Sequence, residues 1–207
     1  MKKVISSSLI IILLLLGLGC NPGTTPASNI TNETPQQSKT AAVLPEMSTY
    51  TGTIHDIHDL GKITNISIDY PKGWTVLSEG INYPLTFILQ NTDGMYQCSV
   101  SISATSVGQP YNLLDSFQQE IKNREYNPMP GTFFNIVTPM TPISISGYPA
   151  YEITYIENRA TADESMEVWI LSPDNMLYTF GGGVQLTYNY DDYSGIIQHM
   201  LDSLKLW

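Results

Sequence analysis

Stretches in which apolar and polar residues alternate recur along most of this chain. The clearest spans residues 66–70, where every second side chain is apolar, as in a strand that buries one face. Turn residues follow at Pro71-Lys72-Gly73, and a return strand begins at Trp74. Comparable stretches predict strands at 83–90, 96–104, 133–145, 150–157, 166–171 and 176–180. Together with the first hairpin, the pattern predicts about eight strands.

Two further segments carry apolar residues at helical spacing. The apolar positions of the first are Leu113, Leu114, Phe117 and Ile121. Those of the second are Tyr193, Ile196, Ile197, Met200, Leu201 and Leu204. Asn127-Pro128 is expected to end the first helix, and Asp191 or Asp192 is expected to cap the second. The pattern therefore predicts one helix in the middle of the chain and one at its end.

The predicted strands fall into consecutive runs and do not alternate with helices. Strands joined by short turns usually pair antiparallel with their neighbours. We therefore predict an α+β fold, in which one antiparallel sheet carries helices on its faces. Pro139 and Pro142 interrupt the strand at 133–145, so that strand is expected at an edge of the sheet or with a break.

The first twenty residues have the pattern of an export signal. Two lysines precede an apolar run, and the small residues Gly17 and Gly19 lead to Cys20. The end of this pattern resembles the lipobox of prokaryotic lipoproteins. The resemblance implies that residues 1–19 are a signal peptide and that Cys20 is acylated. The mature chain would then be lipid-anchored in the cell membrane, on its extracytoplasmic side.

Two other interpretations of the first twenty residues remain open. One is an uncleaved membrane helix, although the 16 residues 4–19 are fewer than the ~20 needed to cross a bilayer. The other is a secretory signal that is cleaved without lipidation. The short apolar run and the position of the cysteine favour the lipid anchor, and an anchor with more than one acyl chain attaches stably to a bilayer.

The composition changes after the predicted signal peptide. Residues 20–48 are rich in Pro, Thr, Ser and Asn and contain few large apolar residues, so they are expected to form a flexible linker. Residues 49–207 are numerous enough to form one domain with a sizeable core.

The charge balance narrows the range of partners. The formal net charge is −10, and loss of Lys2 and Lys3 with the signal peptide leaves seven basic against 19 acidic residues, a charge of −12. Because there is no cluster of Lys or Arg, nucleic acid is not expected as a partner. Cys98 is the only cysteine after Cys20, and on a strand it shares a face with Val100, Ile102 and Ala104, which predicts a buried and inert thiol.

One short segment offers candidate metal ligands. His55, Asp56, His58 and Asp59 place two imidazoles and two carboxylates within five residues, and both groups bind zinc and related ions. On a strand, however, His55 and His58 point to opposite faces. The alternative, which the polar composition favours, is a solvated loop over residues 50–59.

Signals of catalysis are sparse. The chain has neither a Gly-X-Ser-X-Gly nor a His-Glu-X-X-His motif, and His199 is expected to be solvated on the last helix. The residues 181–183 are three glycines that could suggest a phosphate loop, but the Lys-Ser/Thr ending is missing, which favours a flexible or bulged strand end. Asp163-Glu164 and Asp191-Asp192 could pair as acid and base, although their spacing does not support it. We expect no enzyme and no cofactor.

Several segments taken together resemble a known family. They are Ile-Ser-Ile-Asp-Tyr-Pro-Lys-Gly-Trp at 66–74, Gly-Tyr-Pro-Ala-Tyr-Glu-Ile-Thr-Tyr at 147–155, Met-Glu-Val-Trp-Ile at 166–170, Leu-Tyr-Thr-Phe at 177–180 and the closing helix. Their order over residues 50–207 is similar to that in PsbP-like domains of the Mog1/PsbP fold, including prokaryotic lipoproteins of that group. The resemblance implies an α-β-α sandwich with a central antiparallel sheet and a role as an extrinsic binding or assembly subunit.

Two functions are therefore carried forward. The first is a membrane-anchored, non-catalytic module that binds a protein partner or assists assembly outside the cytoplasm, attached to membrane lipid through acylated Cys20. The second is a small-molecule or metal-binding lipoprotein that uses residues 55–59 or the edge at 181–193. Tyrosines at strand ends and turns could form a recognition surface, although their composition and positions favour ordinary half-buried tyrosines at the rim of a core.

Overall fold

The computed structural model describes residues 44–59, 61–77, 84–126, 132–158 and 162–207. Cys20, the predicted signal peptide and the predicted helix end at Asn127-Pro128 lie outside the described residues. The described strands are β1 (Met47–His55), β2 (Ile63–Pro71), β3 (Thr75–Leu77), β4 (Leu85–Gln90), β5 (Tyr96–Ser106), β6 (Phe134–Ile145), β7 (Tyr148–Asn158), β8 (Ala162–Leu171), β9 (Met176–Gln185) and β10 (Lys205–Leu206). The helices are α1 (Leu113–Tyr126) and α2 (Asp191–Ser203).

The described strands form two sheets, and within each sheet neighbouring strands pair antiparallel. The larger sheet has seven strands in the order β3-β4-β5-β9-β8-β7-β6, and the smaller has three in the order β1-β2-β10. The predicted α+β class is therefore confirmed. The smaller sheet was not predicted as a separate layer.

The main core lies between the seven-stranded sheet, the small sheet and α2. Alternate residues of β5, β8 and β9 point into it, because successive side chains of a strand face opposite sides. Fully buried members are Ile66, Ile68, Cys98, Val100, Ile102, Val168, Ile170, Phe180, Ile197, Met200 and Leu201. The predicted burial of Cys98 is confirmed, and burial raises the pKa of its thiol to about 12.

A second, smaller core lies on the opposite face of the seven-stranded sheet. Phe117 and Ile121 of α1 pack there against Ile153 and Tyr155 of β7. Helix α1 contacts β6 and β8, whereas β5 and β9 present small residues on this face, with Ser99, Ser101, Gly181 and Gly183 in register. The two helices thus lie on opposite faces of one central sheet, as the sandwich prediction requires.

The glycines at 181–183 do not form a flexible strand end. They lie inside β9 and pair with β5 on one side and with β8 on the other. At Gly182 a side chain would overlap Cγ2 of Ile197, so α2 can approach the sheet closely only where the strand carries glycine. The interpretation of these glycines as a bulged strand end was therefore wrong.

Two further predictions about local structure need correction. Residues 50–55 belong to β1 and not to a loop, because the strand pairs with β2 along its whole length even though only Ile54 is fully buried. Helix α2 has Tyr190 at its N-cap, with no side-chain hydrogen bond, while Asp191 and Asp192 occupy its first turn. There the carboxylates can still favour the helix through its dipole.

Candidate protein-interaction surface

The predicted metal ligands have separate environments in the structure. His55 ends β1 and is half-buried, whereas His58 and Asp59 are exposed. Asp56 is fully buried. Its Oδ1 accepts a hydrogen bond from the His58 backbone N–H at 2.8 Å, and its Oδ2 accepts one from the Ser106 N–H at 2.9 Å and another from the Ser106 hydroxyl.

Asp56 therefore works as a structural link. It bridges to Ala104 at the end of β5, so its carboxylate ties the small sheet to the large one. The part of the chain that the structure describes contains no group of three or more His, Cys, Asp or Glu side chains that could hold a metal ion. The geometry gives no support to a metal site at residues 55–59.

The acidic residues considered as a catalytic pair are partly brought together. Asp163 and Glu164 point to opposite faces of β8, and Asp163 accepts a 2.5 Å hydrogen bond from the Tyr96 hydroxyl. Burial, with the nearby charge of Asp191 as a second cause, raises the pKa of Glu164. The pKa of Glu152 is raised in the same way, mainly by burial and to a lesser extent by the nearby charge of Asp202.

These two like-charge pairs line the side of α2 that faces β7 and β8. Tyr190 lies beside them, and burial followed by the charges of Glu164 and Glu152 raises the pKa of its hydroxyl. Raised pKa values occur at catalytic acids and also in structural clusters of like charge. What the arrangement establishes is a negative potential along this edge of α2.

The other face of the sheet contains a buried polar cluster centred on Glu167 of β8. Glu167 is 6 % exposed. Arg124 of α1 holds its carboxylate with two hydrogen bonds, from Nη1 to Oε2 at 2.7 Å and from Nη2 to Oε1 at 3.3 Å. The Tyr155 hydroxyl donates to Oε2 at 2.9 Å, and Nε1 of Trp169 donates to Oε1 at 2.7 Å.

Aromatic rings surround this ion pair. Phe117 of α1 stacks on Trp169 with ring centroids 4.5 Å apart and planes only 6° from parallel. Arg124 also lies over the ring of Tyr155, with 5.6 Å between the guanidinium carbon and the ring centroid. The ion pair and the stacked rings fix the position of α1 over β7 and β8.

Electrostatics within the cluster follow from burial and the ion pair. Burial alone lowers the pKa of Arg124, but the adjacent Glu167 more than offsets this, so the pKa of Arg124 is raised. Burial, and next the charge of Glu167, raise the pKa of Tyr155. The guanidinium stays charged and the phenol stays protonated at neutral pH. The cluster is thus a saturated structural link, with each carboxylate oxygen accepting two hydrogen bonds.

Strand β6 lies next to this helix and forms an edge of the large sheet. Its twelve residues include no charged side chain, which is unusual for an exposed strand in an acidic chain. Pro139 and Pro142 lie within it. Because β6 is the last strand in the order of the large sheet, the edge position expected from these prolines is confirmed. Ile136 is 39 % exposed and Val137 48 % exposed.

Two irregularities bend β6 away from its neighbour. The register moves from Ile136 opposite Tyr155 to Thr138 opposite Thr154, which makes Val137 an extra residue. Between Thr138 and Thr141, β6 advances by three residues while β7 advances by two, so β6 again contains one extra residue, near Pro139. Because bulges of this kind bend and twist a strand, β6 leaves a gap between itself and α1.

This gap is a groove of about 410 Å³, which we call the edge groove. It is lined by Gln118, Ile121, Lys122 and Glu125 of α1, by Ile136, Pro139 and Met140 of β6, and by Ile153 of β7. Tyr126, which ends α1, is 78 % exposed. The groove lies on the side of the sheet that α1 covers, and Ile136, which lines it, is one of the exposed apolar residues of β6.

Comparison with known proteins adds the fold relationship. No protein-family model and no curated protein sequence matches this chain. Among solved structures, cyanobacterial PsbP (CyanoP) from Synechocystis sp. PCC 6803 is 13 % identical with a TM-score of 0.51, and the match covers 84 % of this chain and 99 % of that one. The chain has a PsbP/Mog1-like fold.

Two further solved structures that resemble the chain come from other organisms, and of these LpqN supports the fold. LpqN of Mycobacterium tuberculosis is 11 % identical with a TM-score of 0.55, over 76 % of this chain and 91 % of LpqN. The Ran-binding protein Mog1p of Saccharomyces cerevisiae is 11 % identical with a TM-score of 0.44, over 76 % and 95 % of the two chains. The resemblance noted in the sequence is therefore confirmed at the level of fold.

The sequence did not indicate the main features of the Glu167 cluster and the edge groove. Glu167 appears in the sequence as a polar residue on the exposed side of a strand, and only the contact with α1 shows it to be buried. Pro139 and Pro142 were the signals that identified β6 as an edge. In the described ranges, no helix combines the length and the apolar character needed to cross a membrane.

Proposed function

We propose that this protein is a membrane-anchored, extracytoplasmic lipoprotein whose PsbP-like domain is a non-catalytic module for binding or assembling a protein partner. Residues 1–19 are its signal peptide, acylated Cys20 is its attachment to the bilayer, and residues 20–48 are the linker. The charge of −12 on the mature chain keeps the domain soluble and disfavours contact with anionic headgroups.

The observation that carries this proposal is the surface at β6. A strand without a charged residue, exposed at a sheet edge beside an apolar groove, is an association site or a liability that proteins usually protect with charge. The Glu167 cluster holds α1 firmly at the other wall of the groove, so the surface is preformed.

The fold relationship is consistent with a role outside the cytoplasm. LpqN is described as involved in cell envelope biogenesis, and CyanoP has a PsbP-like domain in a cyanobacterium. At 11 % and 13 % identity, these proteins share only a fold with this chain. Because one fold can support different functions, a similar role for this chain is proposed and does not follow from the fold.

The lipid anchor is tested by expressing the full chain in a bacterial host and analysing the membrane fraction by mass spectrometry. We expect a mature N-terminal peptide that begins at Cys20 and carries acyl chains. Cys20→Ser should remove the acyl mass and release the protein from membranes, whereas Cys98→Ser should leave both unchanged. Recovery of an intact Met1 or an unmodified thiol at Cys20 contradicts the anchor.

Protein binding is tested with a photo-crosslinking amino acid at Val137 in the full chain, in membranes of the native host. Leu77, on β3 at the opposite edge of the same sheet, is an equally exposed apolar control position. We expect one discrete crosslinked protein from Val137 and none from Leu77. If neither these sites nor others spread over the domain yield a crosslinked protein, the protein-binding function is wrong.

A second candidate function is binding of a small molecule. A cavity of about 450 Å³ at the ends of β4, β5 and β9 supports it, since ligand pockets range over roughly 300–1,000 Å³. Ile88, Met95 and Tyr96 contribute to its walls, together with Gln185. Screening neutral metabolites by thermal shift should find a ligand whose stabilising effect is lost in Met95→Asp, and the absence of any such ligand would argue against this candidate.

A further inference from the structure

We propose that the edge groove binds an extended segment of a partner protein that is apolar at its centre and carries Lys or Arg at its ends. This inference rests on the protein-binding function and specifies its partner. The central apolar side chain enters the groove, and the basic ends meet the carboxylates of α1 and β7.

The shape of the groove supports an apolar anchor. Ile121 and Ile153 form its floor, and Met140 and Pro139 form the wall on the β6 side. Its volume of about 410 Å³ is large enough for one or two large side chains, and interfaces commonly depend on a few such anchors in preformed pockets. Strand addition along the whole of β6 is disfavoured, because prolines lack the N–H that a pairing strand needs.

The charges around the groove support basic ends. Glu125 and Lys122 of α1 line the groove, and Glu157 of β7 is opposite Phe134 at the start of β6. Arg124 is paired with Glu167 and Glu120. The charged residues of α1 with its neighbours on β7 and β8 are five carboxylates (Asp115, Glu120, Glu125, Glu157 and Glu167) and two cations (Lys122 and Arg124), a net charge of −3.

The same charge argues against other occupants. A second copy of this chain also carries −12 in its mature form, and an anionic bilayer surface is negative as well, so both are repelled at low ionic strength. A basic segment is attracted under the same conditions. We therefore commit to a basic protein segment.

The test uses the mature full-length chain with Cys20→Ser and a short fluorescent peptide. The peptide has alternating Val, Phe and Thr residues at its centre and lysines at both ends, and a matched peptide has glutamates in place of the lysines. We expect the lysine peptide to bind at least about tenfold more tightly at low salt, with the difference shrinking as salt is added. NMR shift changes should concentrate at the amides of Ile136, Val137 and α1.

Two variants separate the groove from the rest of the surface. Ile136→Ser should weaken the lysine peptide by about tenfold, since it removes an apolar side chain that lines the groove and adds no charge. Leu77→Ser should have no effect on binding. Both sites are exposed, so circular dichroism should show both variants folded.

Three results would overturn the inference. The first is equal binding of the two peptides, and the second is shift changes that map away from β6 and α1. The third is self-association in ultracentrifugation, or binding to vesicles of phosphatidylcholine and phosphatidylglycerol, that Ile136→Ser abolishes, because either would identify a different occupant. If the peptides fail but a native protein still crosslinks elsewhere on the domain, this inference is wrong while the protein-binding function stands.

Discussion

The two faces of the seven-stranded sheet are built in different ways. On one face, α2 and the small sheet cover the strands with buried apolar side chains such as Val100, Phe180 and Met200. On the other, α1 covers only the β6–β8 part and is held by a buried ion pair between Arg124 and Glu167. The first face supplies most of the buried apolar area, and the second positions a helix beside an exposed edge.

The difference shows how stability and interaction can be separated in one sheet. Apolar burial is non-directional and tolerates small shifts, whereas a carboxylate with four donors fixes the position of its neighbours closely. Helix α1 needs such positioning, because it forms one wall of the edge groove. The apolar face needs only to remain dry and closely packed.

The largest expected effect is the loss of Glu167. Glu167→Ala removes the buried counter-charge of the Arg124 guanidinium, which keeps only its contact with the more exposed Glu120, and should lower the free energy of unfolding by about 3–5 kcal/mol. Urea denaturation followed by circular dichroism measures this. Arg124→Leu combined with Glu167→Leu should recover most of the loss, because a packed apolar pair avoids the desolvation penalty. No recovery would mean that the hydrogen bonds to Tyr155 and Trp169 dominate.

A somewhat smaller effect is expected at the link between the two sheets. Asp56→Ala removes the acceptor for two backbone N–H groups and the Ser106 hydroxyl, and should cost about 2–3 kcal/mol. Asp59→Ala is the matched control, since Asp59 is exposed and its carboxylate accepts a hydrogen bond from the Gly61 N–H at the surface, so its cost should stay below about 1 kcal/mol. Equal losses in the two variants would contradict the role assigned to Asp56.

Adjacent glycines of β9 allow the two faces to be compared directly. Gly182→Ala forces a methyl group into Ile197 and should destabilise the protein by about 1–3 kcal/mol. At Gly181 the new methyl would make an ordinary 3.4 Å contact with Ser101, so Gly181→Ala should be neutral or stabilise by up to about 1 kcal/mol. Thermal unfolding of both variants checks the contrast, and destabilisation at Gly181 would show that the second face is also closely packed.

The smallest effect expected is a dependence on pH along α2. The pKa values of Glu152 and Glu164 are raised in the folded protein, so the folded state binds more protons than the unfolded state just above the ordinary value of 4.5. The stability linked to these groups is complete below pH 4.5 and is lost as the pH rises through the folded pKa values.

Replacing both residues with Gln should therefore stabilise the protein at neutral pH by roughly a few tenths of a kcal/mol. The gain is small because both side chains are partly exposed and solvent screens their charges. The gain should disappear in acid. Denaturation curves at several pH values measure it, and a gain that persists below pH 4.5 would point to packing and not to charge.

Part of this structure could be predicted from sequence because its signals are local. The alternation at 66–70 and the helical spacing of Leu113, Phe117 and Ile121 correspond to β2 and α1. The prolines of β6 correctly placed that strand at an edge. The alternation in β2 and the helical spacing in α1 depend only on which side of each element faces a core, so they can be read from residues that are close in sequence.

The rest depends on contacts between residues far apart in the chain. Strand β1 has little alternation of its own and is defined by its pairing with β2. Asp56 is buried because of Ser106, and Glu167 is buried because of Arg124, so neither environment can be deduced from neighbouring residues. The edge groove arises from two bulges, which sequence alone does not locate. The site was therefore predicted less well than the fold.

The position of Cys98 has a consequence for the chemistry of the whole domain. Disulfide exchange requires a thiolate that a partner sulfur can reach, and this sulfur is fully buried with a pKa of about 12. In an oxidising medium the domain is thus protected from mixed disulfides and covalent dimers. Once folded, it can therefore be kept without reductant in the buffers in which it is handled, as far as this thiol is concerned.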